Sequence, residues 1–87
     1  MNLYIIKRFP YQFVPDAFAW AIVAADSVTA AKHTHPAQGV VWLKTCWRNK
    51  GKEYGFETWG RPQNVRARLI GLAVKGTKAG VISSTFL

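Results

Sequence analysis

The stretch FAWAIVAADSVTAAKHTHP, Phe18 to Pro36, changes its apolar period at Asp26-Ser27, and the rest of the chain is read outward from that change. Before it, Phe18, Trp20, Ile22 and Ala24 alternate with Ala19, Ala21 and Val23. A period of two describes a β-strand, here with one bulky face and one small face, both of them covered. After it, Asp26 reads as a helix N-cap, its carboxylate accepting from the free N–H groups of the first turn at the positive end of the helix dipole. His35 precedes Pro36, which disfavours helical geometry at residue 35. The spacing therefore predicts a helix over Ser27 to Thr34, roughly two turns, with Val28 and Ala31 towards a sheet and Lys32 and Thr34 towards water.

Upstream, Leu3 to Arg8 alternates as a first strand, with Leu3, Ile5 and Lys7 opposite Tyr4, Ile6 and Arg8. FPYQFVPD, Phe9 to Asp16, holds two prolines and reads as a long connection whose aromatics Phe9, Tyr11 and Phe13 need cover. Downstream, VVWLKTCWR, Val40 to Arg48, reads as one strand: Val41, Leu43, Thr45 and Trp47 on one face, Val40, Trp42, Lys44, Cys46 and Arg48 on the other. Asn49-Lys50-Gly51 supplies the positive φ of a tight turn, and Glu53 to Trp59 returns as the partner strand. Gly60-Arg61-Pro62 breaks the chain. Val65 to Val74 resumes alternation with Gly71 marking a bulge, GTKAG (Gly76 to Gly80) turns, and Val81 to Phe86 closes the fold. The expected class is α+β: about five or six strands of mostly antiparallel sheet with one short helix on one face. A curled, barrel-like sheet capped by the helix is the alternative.

Composition bounds what such a domain does. The chain has 87 residues, enough for one domain spanning 1–87 and one core. Hydrophobic residues make up 49% and charged residues 18%, which argues against disorder. The single cysteine, Cys46, forms no internal disulfide and fits a reducing compartment, and no apolar run reaches membrane-spanning length, so a cytosolic protein is expected. Twelve Lys and Arg stand against four Asp and Glu, a net charge of +8. That excess attracts phosphates, acidic protein surfaces or anionic lipid, and it weighs against DNA mimicry, which needs an acidic surface.

Catalytic and metal chemistry find little support. His33-Thr34-His35 offers two possible zinc ligands, with Cys46 distant and the carboxylates scattered. Histidines at a helix end also interact with its last carbonyls, which is the competing account. Cys46 lies between Thr45 and Trp47 with no base beside it, as a small strand residue would. Glu53 and Glu57 share a strand face about 13 Å apart, too far for a close carboxylate pair. No phosphate-binding glycine loop or nucleophile elbow is present. No enzyme activity, metal or cofactor is expected.

The basic hairpin carries the functional signal. Lys44, Arg48, Lys50 and Lys52, interleaved with Trp42, Trp47 and Tyr54, combine phosphate-seeking cations with flat rings on which bases stack. The competing account is a solvated edge hairpin whose lysines block aggregation and whose tryptophans are core. Arg66 and Arg68 add two cations on one face of a later strand, and alignment with the hairpin would join them into one patch.

As a whole the chain resembles small bacteriophage-encoded accessory proteins of the anti-CRISPR type. The resembling parts are LYIIKR, AIVAADSVTAAKHTHP and VRARLIGLAVKGTKAGVISSTF. The resemblance implies a non-enzymatic inhibitor acting in the cytoplasm of a bacterial host. It would bind a CRISPR effector complex, on an acidic protein face or on the guide-RNA backbone, and block access to target DNA. The alternative is a small phage protein that binds DNA or RNA directly, and a virion component is a third. For either leading reading the expected contact residues are Lys44, Arg48, Lys50, Lys52, Arg66 and Arg68, with Trp42 and Trp47; no residue is carried over from the family.

Overall fold

The computed structural model describes residues 1–8, 18–37, 39–50, 52–54, 59 and 61–86. The proline-containing connection with Phe9, Tyr11 and Phe13, and residues 55–58 of the expected returning strand, lie outside the described residues. The elements are β1 (Asn2–Arg8), β2 (Phe18–Ala25), α1 (Val28–Lys32), β3 (Val40–Leu43), β4 (Cys46–Asn49), β5 (Lys52–Tyr54), a 3₁₀ turn (Pro62–Asn64), β6 (Val65–Leu72) and β7 (Gly80–Phe86). The architecture is α+β and mostly antiparallel sheet, with one short helix. Among the described residues seven strands form two sheets, of order β6-β1-β2-β7 and β3-β4-β5, where five or six were expected.

The additional strand comes from the segment Val40 to Arg48, which is not continuous. Trp42 pairs with Trp47 and Leu43 with Cys46, so the chain reverses at Lys44-Thr45. Lys44 takes φ 59 there, the left-handed backbone that a two-residue hairpin loop demands. The reversal brings the two tryptophans to the same face, not to opposite faces. Their rings meet edge to face with centroids 5.0 Å apart. The next reversal falls at Lys50, φ 54, in the expected Asn49-Lys50-Gly51 turn.

The switch from strand to helix occurs where the period changes, with two corrections. The N-cap is Ser27, not Asp26: Ser27 Oγ accepts from the Ala30 N–H at 3.0 Å. The helix ends at Lys32, short of Thr34, because the side chains of the last turn take its carbonyls. Thr34 Oγ1 donates to Ala30 O at 2.9 Å, and His33 Nδ1–H donates to Thr29 O at 2.7 Å. In β2 the small face is the buried one. Ala21, Val23 and Ala25 join Tyr4, Ile6, Val65 and Ala31 in the core, whereas Trp20 and Ile22 are half-buried on the other side. Small side chains there leave room for two whole indoles, Trp47 and Trp59, both fully buried. Phe18 leaves the face of Trp20 because the register against β7 slips between them, and its ring enters the core.

Among the described residues one polar side chain sits inside. His35 is buried among the rings of Phe18, Trp47 and Trp59, with centroids 6.1, 5.0 and 6.4 Å away. Its Nδ1 accepts the Ala37 N–H at 2.9 Å, which leaves the proton of the neutral ring on Nε2. Burial lowers its pKa from 6.5 to about 4. The expected bulge near Gly71 is present: Leu3 faces Gly71 and Tyr4 faces Leu69, so Ile70 is the extra residue. Strands β6 and β7 are the two edges of the larger sheet, so residues 73–79 cross its end instead of forming a hairpin. Ala73 N–H donates to Met1 O at 3.0 Å during that crossing.

Candidate nucleic-acid interface

The small sheet and α1 pack on the face of the larger sheet that carries Tyr4, Ile6, Ala21 and Val23, and the opposite face is left without a second layer among the described residues. Cross-strand partners share a face, so the registers read directly as rows. One row is Arg66 on β6, Lys7 on β1 and Trp20 on β2. The next is Arg68, Ile5 and Ile22, with Ser83 on β7. Neighbours in a row are about 4.8 Å apart and the rows about 6.7 Å apart.

Lys7, Arg66 and Arg68 are exposed, while Ile5, Trp20 and Ile22 are half-buried. Lys7 stands directly opposite Arg66, so two cations adjoin across neighbouring strands. A hollow of ≈ 240 Å³ lies among Ile5, Lys7, Arg66, Ala67 and Arg68. A wider groove of ≈ 1300 Å³ opens between β7 and β3, but among the described residues Lys78 is the only Lys or Arg along it, so it lacks the charge density of the smaller hollow.

The structure divides the expected contact residues between two sides. Lys44 and Lys50 occupy the two hairpin turns, Lys52 is exposed on β5, and Arg48 is half-buried on β4 opposite Val41 and Glu53. Arg66 and Arg68 lie across the core from them, on the open face of the larger sheet, so the two sets do not form one patch. Trp47 is fully buried and therefore a core residue. Trp42 is half-buried between Trp47 and His33 and no longer shares a face with Arg48. His33 and His35 do not converge, one ring being exposed and the other inside the core. Among the described residues no three His, Cys, Asp or Glu side chains gather as a metal site would require.

Lys7 and Trp20 are absent from the sequence-derived set. Each stands at its place in an alternating strand, but only the pairing of β1 between β2 and β6 puts them beside Arg66. The chain was compared with protein-family models, curated proteins and solved structures, and nothing matches. Among the described residues no helix is long and apolar enough to cross a membrane.

Proposed function

We propose that this protein binds nucleic acid by laying the phosphate backbone across the open face of its four-stranded sheet. The observation that carries the reading is the row Arg66, Lys7, Trp20 with Arg68 beside it, on one face of the larger sheet. Three cations spaced by sheet geometry suit the successive anions of a phosphate backbone. The protein then acts by binding alone, with no catalysed step, cofactor or metal, in the cytoplasm of a bacterial host.

Fluorescence anisotropy across a salt series tests this. Three phosphate contacts should weaken binding about 20- to 40-fold between 50 and 200 mM salt. Charge reversal at Lys7, Arg66 and Arg68 together should abolish that dependence. Affinity that ignores salt, or survives the triple reversal, would remove the face from the model.

A second reading is favoured by a different feature. Leu69, Ile70, Leu72 and Val74 are exposed along β6 and just beyond it, at the outer edge of the sheet, Leu69 and Leu72 on the face opposite to Arg66 and Arg68. An exposed apolar edge on a strand whose other face is cationic suits an acidic protein partner, as an inhibitor of a CRISPR effector complex would require. Pull-down from nuclease-treated bacterial lysate separates the two. A defined complex that survives nuclease supports the inhibitor, and loss of all captured material supports nucleic acid.

A further inference from the structure

We infer that the outer edge of β7 takes an extended acidic segment of a partner protein as an added strand, seated in the groove between β7 and β3. The inference is independent of the phosphate-binding reading, which rests on Lys7, Arg66 and Arg68 of other strands. β7 bounds one side of the larger sheet, and among the described residues no strand pairs with its outer side. The groove of ≈ 1300 Å³ is bordered by an unbroken run of that strand, Gly80 to Ser84. A sheet face would contribute every second residue, so the groove follows the strand edge, where backbone N–H and C=O groups point outward. The far wall is β3, whose own outer side already bridges Thr34 at Val41. Pairing is thus left to β7, and β3 encloses.

The same surroundings select the occupant. The groove is larger than the roughly 300–1000 Å³ of small-molecule pockets, which suits a length of chain. β7 carries neither charge nor proline, the residue kinds that block strand addition, whereas the opposite edge strand β6 carries Arg66 and Arg68. Its irregularity at the groove is the extra residue Ile82, which shifts the register against β2 and stands exposed as an apolar contact. An added strand turns every second side chain over the buried floor of Phe18 and Val40, so apolar residues are required at those positions. Lys78 is exposed just before β7, and among the described residues no carboxylate borders the groove. A chain of net charge +8 repels a second copy and attracts an acidic segment, while one lysine is too few to hold a phosphate backbone.

The test pans a random library of twelve-residue peptides on the unaltered protein. Enriched peptides should alternate apolar and polar residues, carry Asp or Glu at one end and, when bound, slow hydrogen exchange at the amides of β7. Ile82→Lys, at an exposed position, should weaken a synthetic copy of the enriched peptide about tenfold or more, the worth of one buried isoleucine. Lys78→Glu should weaken it about two- to fivefold, and lysine in place of the peptide's acidic residue should recover the loss. Enrichment of no peptide, exchange protection that falls elsewhere, or equal binding by Ile82→Lys would overturn the inference. So would protection of β7 by rising concentration of the protein alone, which would give the edge to a second copy, or by a thymidine dodecamer, which would give it to nucleic acid. The exchange measurement requires no substitution, so its outcome is independent of how the variants fold.

Discussion

Trp42 and Trp47 face each other across a two-residue turn, their ring centroids 5.0 Å apart and their planes at 72°. Trp47 is fully enclosed while Trp42 is half-buried, so the same ring contact joins the core to the surface of the small sheet. Trp47→Ala should cost about 3–5 kcal/mol, the range for emptying a buried aromatic site. A double-mutant cycle with Trp42→Ala, followed by urea denaturation, should give a coupling of about 0.5–1.5 kcal/mol. A coupling near zero would mean that the pair does not hold the turn.

His35 should make stability depend on pH in a stated window. Its folded pKa, lowered to about 4 by burial, lies below the 6.5 of the unfolded chain. The unfolded state therefore binds more protons, and the contribution is fully present above about pH 6.5 and lost as pH falls towards 4. The loss approaches 3 kcal/mol, at about 1.4 kcal/mol for each unit of pKa difference. The rings around it, Phe18, Trp47 and Trp59, bring no opposing charge. Denaturation midpoints at pH 7, 5.5 and 4.5 should fall for the native protein and fall less for His35→Phe.

The cap of α1 is testable by two neighbouring substitutions. Ser27→Ala removes the acceptor for the Ala30 N–H and should cost about 1 kcal/mol. Asp26→Ala should change stability by less than about 0.5 kcal/mol, as an exposed position outside the cap does. Thermal melts of both variants decide between the two residues, and a larger loss at Asp26 would return the cap to it.

Lys44 holds a left-handed backbone at φ 59. Replacing it with a β-branched residue makes that conformation costlier, so Lys44→Val should destabilise by about 1 kcal/mol or more. Lys44→Asn, which tolerates the conformation, should leave the melting temperature equal or higher. If the two variants melt alike, the turn is not the strained point of the small sheet.

Where the physics is local, the sequence was legible. The change of period at Asp26-Ser27 located the end of β2 and the start of α1 to within a residue or two, because a strand and a helix space their apolar residues differently. The bulge by Gly71 and the turn at Lys50 were also readable, since a glycine in the sequence signals both. The turn at Lys44-Thr45 was not. Neither residue is a turn former, and only the pairing of Trp42 with Trp47 offsets the cost of the positive φ. The same pairing put both indoles on the core side and took Trp47 out of the expected contact set.

By itself the sequence determined an α+β chain, its excess of positive charge, and strands β1, β2, β6 and β7 within a residue or two of their ends. Tertiary structure alone decided that β1 lies between β2 and β6. Alternation fixes which residues of one strand share a face, but it says nothing about which strand lies beside it. That neighbour is chosen by how the buried sides pack over Trp47, Trp59 and His35. The choice set Lys7 between Arg66 and Trp20, although the outermost two are separated in sequence by about half of the chain.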